Sequence, residues 1–223
     1  MRQVRCPRRL VWRVARAEGF RRGTEASIMS KIRAWFARRF AGVDALRWAA
    51  CGLMVAFAGF VGLFVVGYAV TDPGGLVGIG GSAAWVAVVA GLGVWALYRP
   101  SGALIALAVL ACAPLAFGVW SLLDYEAASN WEDTHGPMSM VLSLTVCAPA
   151  AIAGLFRPRP AGYLILVASM GPILLAAIGA ASKFGRPLSI GLVLTPIVVS
   201  GVLFILAGRR ARERTVLAGQ ADA

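Results

Sequence analysis

The residues that could do chemistry are gathered in one short stretch, Asn130-Trp131-Glu132-Asp133-Thr134-His135-Gly136-Pro137, which holds the only histidine of the chain. Two carboxylates and an imidazole make a workable first shell for a divalent metal. Glu132, Asp133 and His135 are therefore candidate metal or ligand residues, with Asp124 as a further ligand, and Asp72 and Glu126 as outlying ones. Acid–base work by His135 with a carboxylate is also open, because histidine titrates near neutrality. Two facts weigh against both. No second histidine exists to complete a zinc site, and no nucleophile motif accompanies the cluster. The alternative is architectural. Pro137 suits the first turn of a helix, Asp133 or Thr134 suits the cap before it, and acids there favour the helix dipole. Trp131, Trp120 and Tyr125 then read as an aromatic belt at a membrane surface. Capping and anchoring are the preferred reading.

The elements that would position this cluster are membrane helices. Of the 223 residues 59% are hydrophobic and only 14% charged, with a mean hydropathy of +0.77. A soluble domain carries about 25% charged residues. About 20 apolar residues cross the hydrocarbon core, and six runs approach or meet that length: 49–70, 82–98, 101–123, 137–156, 161–181 and 188–208. The fold expected is all-α, a polytopic bundle of six transmembrane helices.

Half of the net charge of +12 comes from residues 1–28, and the rest from basic residues mostly at the ends of these runs. No basic face with interleaved aromatics exists to stack bases, so nucleic acid is not an expected partner. From Met29 on, residues 29–48, Arg99-Pro100, Arg157-Pro158-Arg159-Pro160 and the tail after 208 hold twelve of fourteen basic residues. The alternate loops hold Asp72, Asp124, Glu126, Glu132 and Asp133, with only Lys183 and Arg186. The positive-inside rule then puts both termini in the cytoplasm and the 130–137 stretch outside. The expected location is a bacterial plasma membrane.

Domain organisation follows. Residues 1–28 carry eight arginines against two glutamates, without an apolar stripe, and Met29 opens a conventional bacterial-looking amino terminus. Residues 1–28 read as an over-extended start or a disordered basic tail, with a targeting segment as runner-up. Residues 29–48 form a basic segment in which Ile32, Trp35, Phe36, Phe40, Val43 and Leu46 recur at helical spacing, suiting a helix on anionic lipid or a plain basic flank. Residues 49–208 form the membrane domain and 209–223 a basic tail. Of the cysteines, Cys51, Cys112 and Cys147 lie inside apolar runs and Cys6 in the basic start; no C-x-x-C pair or disulfide framework is read.

Two features organise the spans. Leu97-Tyr98-Arg99-Pro100 and Leu155-Phe156-Arg157-Pro158 lie 58 residues apart, and the same offset relates Pro114 to Pro172. Spans two and three would repeat as spans four and five, parallel hairpins with cytoplasmic turns at Arg99 and Arg157. Pro114, Pro149, Pro172 and Pro196 lie inside spans and predict kinks, around a cavity or simply as tolerated membrane prolines. Gly52, Gly59, Gly62 and Gly67 predict tight packing of the first span within the bundle.

No Asp, Glu, Lys, Arg or His lies inside any of the six runs, which argues against a proton-coupled pump. The span hydroxyls of Ser121, Ser143, Thr145, Ser169, Thr195 and Ser200 are expected to bond other helices or the preceding turn.

The Asp133-Thr134-His135-Gly136-Pro137 sequence ahead of a span resembles a D-x-H-G-P element of uncharacterised small multi-pass proteins of high-GC actinobacteria. That resemblance implies a bacterial integral membrane protein and no particular activity. The function expected is non-enzymatic: a membrane subunit or scaffold working through helix and loop contacts, in the lipid bilayer, with itself or another membrane protein as partner and with no cofactor. The alternatives are a facilitator of a small neutral solute, and an outward-facing metal or ligand sensor using Asp133 and His135.

Overall fold

The computed structural model describes residues 30–31, 33–35, 37–71, 75–136, 138–179 and 185–221. Residues 1–28, Asp72, Pro137 and Lys183 lie outside the described residues, and of His135 and Pro172 only the backbone is described. The chain divides between Val43 and Asp44 into two units.

In the first unit the described residues from 30 to 40 are helical, and the Arg38 guanidinium donates to the Ala34 carbonyl. The helix ends in a turn in which the Val43 amide donates to the Phe40 carbonyl at 3.1 Å. The segment 29–48 is thus divided: its last four residues already belong to the first long helix of the second unit.

The second unit is all-helical among the described residues. Its helices are α1 (Ala45–Thr71), α2 (Gly75–Tyr98), α3 (Pro100–Leu110), α4 (Cys112–Leu123), α5 (Tyr125–His135), α6 (Met138–Gly154), α7 (Pro158–Gly179) and α8 (Gly185–Ala221). The Arg-Pro turns punctuate it as the sequence suggests. Arg99 leaves the helical region at φ −132°, and Pro100 starts α3, where its missing N–H costs nothing. Pro158 starts α7 in the same way.

Three helical stretches among the described residues are long and apolar enough to cross a membrane: Ala45–Gly67, Gly78–Tyr98 and Pro100–Leu123. A fourth is added if α5 and α6 count as one bent span. Six runs are read from the sequence; the sixth falls within α8, and the fifth overlaps α7 up to Gly179, its last two residues lying outside the described ones. Large apolar side chains face outward, among them Leu63 at 74% and Ile105 at 69% exposure. A monomeric soluble protein rarely leaves such surface bare, whereas lipid covers it without penalty.

Prolines act unequally. Helix is interrupted at Ala111, ahead of Pro114, where the Leu115 amide reaches the Ala111 carbonyl only at 3.4 Å. Proline has no N–H to return to the carbonyl four residues back, so the ladder loosens there. Helices α6, α7 and α8 continue through Pro149, Pro172 and Pro196.

The core is built around α6, which packs against α1, α2, α3, α4, α7 and α8. From Ser143 to Gly154 nearly every residue is buried, and most are small: Ala148, Ala150, Ala151, Ala153 and Gly154. Small side chains let six neighbours approach one axis, which is how membrane helices gain contact without a hydrophobic drive. Among the described glycines the closest approach to another helix's backbone is between α7 and α8, where a Cβ on Gly162 would lie 2.7 Å from the Gly201 carbonyl oxygen. Close packing therefore falls on Gly162, Gly201 and Gly154, whose Cβ would meet the Phe204 ring. The glycines of α1 behave otherwise. A Cβ on Gly52, Gly59 or Gly67 would meet nothing within 4 Å, and one on Gly62 would only graze Trp85. The packing expected of the first span is absent at those positions, because they lie on the side of α1 turned away from its neighbours.

Candidate functional site

The cluster that opens the sequence reading sits on α5, the polar helix between two apolar ones. Its first residue is preceded by Asp124, whose Oδ1 accepts from the Ala127 amide at 3.0 Å and so caps α5. Its last residue is His135. Gly136 follows at φ +89°, in the region that favours glycine, and the chain turns by 80° into α6. The sequence reading makes this stretch the start of a span; it is the end of a separate helix lying across that span.

Two observations explain why α5 lies where it does. Trp131 packs on Phe117 and Trp120 of α4, with ring centroids 6.1 and 6.0 Å apart, while Phe117 and Trp120 are themselves 5.5 Å apart. Tilted and edge-to-face rings at these distances attract through their quadrupoles. Next to Trp131 in the chain, Glu132 Oε1 accepts from the Ser139 amide at 2.9 Å, in the first turn of α6. Glu132, rather than Asp133 or Thr134, satisfies that open helix end. Thr134 instead donates its hydroxyl to the Asn130 carbonyl at 2.8 Å within α5, and Asp133 is exposed.

The geometry separates the candidate ligands. Asp124 and Asp133 stand nine residues apart along α5, an axial rise of about 13 Å, against ligand distances of about 2.0–2.6 Å. Glu132 and Asp133 are successive residues, about 100° apart around the axis, and point differently. Among the described residues no group of three His, Cys, Asp or Glu side chains could hold a metal ion. What the arrangement does is join helices: one acid caps α5, another caps α6, and an aromatic trio fastens α5 to α4.

Within the bundle, hydroxyls are spent on backbone. Ser143 donates to the Ala168 carbonyl of α7 at 3.1 Å, and Ser200 to the Ala50 carbonyl of α1 at 2.9 Å. The Trp85 indole of α2 donates to Thr145 at 2.8 Å, and Thr145 donates onward to the Val141 carbonyl at 2.7 Å. Ser169 bonds back to Ile165 in its own helix. These are the two bonding modes expected from the sequence. Thr195 is exposed and Ser121 buried. Cys51, Cys112 and Cys147 are free thiols.

Sequence reasoning passed over one functional side chain. Arg47, at the start of α1, is largely buried and donates from Nη1 to the Leu155 carbonyl at 3.2 Å, with Asp44 4.0 Å from Nη2. It thereby satisfies a carbonyl in the turn that follows α6. The one available signal was Asp44-x-x-Arg47, an acid three residues ahead of a base at a helix start.

Compared with known protein families, curated proteins and solved structures, the chain matches none.

Proposed function

We propose that this chain is a non-enzymatic, multi-pass membrane subunit or scaffold. It would cross a bacterial plasma membrane six times, with α7 and α8 as the last two spans and the arginine-rich turns and both termini inside. Its role would be to present a rigid helical body to itself or to another membrane protein. The observation that carries this reading is the burial of α6 among its neighbours. On α6 itself Leu144, Val146, Ala150, Ala151 and Ala153 are all fully or nearly fully buried. The hydroxyls of Ser143, Thr145, Ser169 and Ser200 are committed to carbonyls. A path for a neutral solute needs polar groups turned to a lumen, and a sensor needs ligands that converge. The absence of ionisable residues in the apolar runs supports a structural role in the same way.

The repeat belongs to the same proposal. Ala103 and Ala161, 58 residues apart, sit together in one buried cluster beside the two Arg-Pro turns, which supports spans two–three and four–five as related hairpins.

The test is native mass spectrometry of the chain released from membranes in mild detergent, with solute flux in proteoliposomes alongside. A defined homo-oligomer or a stoichiometric second subunit, with no flux, is the expected outcome. A monomer that conducts a neutral solute would replace this reading with a facilitator. A metal retained by the chain and lost in His135→Ala would replace it with a sensor.

A further inference from the structure

The two Arg-Pro turns meet in space. Ala96 and Ala103 bracket Arg99-Pro100, Ala153 and Ala161 bracket Arg157-Pro158, and all four share one buried apolar cluster with Leu104, against which Ile152 and Leu164 pack. Packed helices run roughly 8–10 Å apart, so the two Arg-Pro turns flank the same cluster at one end of the bundle. Others join them. Arg47 bonds the carbonyl of Leu155, two residues before Arg157. Arg159 lies against Gly208 of α8, and Arg209 and Arg210 follow directly. Arg99, Arg157, Arg209 and Arg210 are exposed. Among the described acids only Asp44, which faces Arg47, and Glu213, further along α8, accompany them.

The chemistry of this end is specific in two respects. Every described base here is arginine, whose planar fork holds a phosphate oxygen pair in a way that lysine cannot. The exposed surface next to it is apolar: Tyr98 is 64% exposed immediately before Arg99, with Trp95 one turn earlier on α2 and Ile105 in the second turn of α3 also exposed. A ligand that satisfies both has a phosphate head and hydrocarbon tails. Nucleic acid and acidic peptide offer the charge without the tails.

We infer that the arginine end of the bundle binds anionic phospholipid, the phosphate between Arg99 and Arg157 and the acyl chains along Trp95, Tyr98 and Ile105. This rests on the membrane-spanning reading above. It goes further than the positive-inside rule, which asks only for charge on one side and is indifferent to lipid class and to arginine over lysine.

The experiment uses the full chain in mild detergent, with equal amounts of dioleoyl phosphatidylglycerol and dioleoyl phosphatidylcholine, and counts retained lipid by native mass spectrometry. Phosphatidylglycerol adducts should dominate. Removing both charges in Arg99→Gln/Arg157→Gln should lower their retention about fivefold per arginine, about twenty-five-fold for the pair. Arg99→Lys/Arg157→Lys keeps the charge and the orientation, and should fall between the two. It also serves if the glutamine pair fails to insert. Glycerol phosphate, a headgroup without tails, should leave no adduct. Equal retention of the two lipids, unchanged retention in the lysine pair, or equal binding of glycerol phosphate would each overturn the inference. Failure of the membrane reading would show separately, as a chain that does not sediment with membranes at all.

Discussion

Replacing Gly162 by alanine tests whether the α7–α8 crossing holds the bundle together. The new Cβ would lie 2.7 Å from the Gly201 carbonyl oxygen, 2.8 Å from Ile205 Cγ1 and 3.1 Å from the Ile205 amide nitrogen. Ordinary contact begins at 3.4 Å, so the two backbones must part by about 0.7 Å (3.4 less 2.7). No side-chain rotation relieves this, because two of the three obstructing atoms are backbone. Overpacking of this kind costs about 1–3 kcal/mol, and a gap of 0.5–1 Å forfeits roughly a quarter to a half of each neighbouring contact. Alanine recovers up to about 1 kcal/mol through its better helix propensity. With full recovery the net loss should be about 0–2 kcal/mol, read as a fall in Tm of up to about 8 °C on the scaling for chains of this length. The assay is thermal unfolding in detergent followed by tryptophan fluorescence, with Gly59→Ala as the control. A Cβ on Gly59 meets nothing within 4 Å, so that variant should melt at or above the parent. Equal melting temperatures for the two variants would refute the argument that backbone approach, rather than glycine content, holds these helices.

Ser200→Ala removes the buried bond to the Ala50 carbonyl and should cost about 0.6–1.7 kcal/mol in the same assay, whereas Ser169→Ala, which loses only a bond within its own helix, should cost less. Arg47→Met strips the Leu155 carbonyl of its partner, a loss of about 1–3 kcal/mol, and should raise hydrogen exchange in the Leu155–Arg157 turn. Glu132→Ala should speed exchange at the Ser139 amide and cost about 1 kcal/mol, as loss of a helix cap does; Asp133→Ala should leave that amide unchanged.

How far the fold was legible depends on which force sets each element. Helix ends marked by arginine and proline were readable, because solvation of the charge and the missing N–H act locally: the turns at Arg99-Pro100 and Arg157-Pro158 stand where the sequence puts them. The fate of the span hydroxyls was readable too, since an apolar surround leaves a serine only carbonyls to bond. Which face of each apolar helix turns inward was not. Lipid and core are equally apolar, so Gly59 on α1 and Gly162 on α7 look alike in sequence, and only the fold separates them. The cluster from Glu132 to His135 was legible in part for a related reason. Capping and anchoring, the preferred reading, have counterparts in Glu132 at the Ser139 amide and in Trp131 on Phe117 and Trp120, but Asp133 and Thr134, the residues expected to cap, do not supply the bond, and a separate helix spreads Asp124 and Asp133 to opposite ends. Nothing local announces the 80° turn except Gly136-Pro137, which a helix start would show equally well.

The central place of α6 has a consequence for biosynthesis. Among α1 to α4 substantial contacts join only neighbours in the chain, and the helix that ties them to one another, and to α7 and α8, is made after them. A ribosome that has delivered α4 has therefore delivered a string of hairpins with no shared axis. The Thr145 hydroxyl that will receive the Trp85 indole, and the Ala168 carbonyl that Ser143 will bond, do not yet exist. Assembly cannot proceed by adding finished layers to a finished base. It must wait for a keystone placed late, and until then the early helices depend on lipid, or on a chaperone within the membrane, to hold their places.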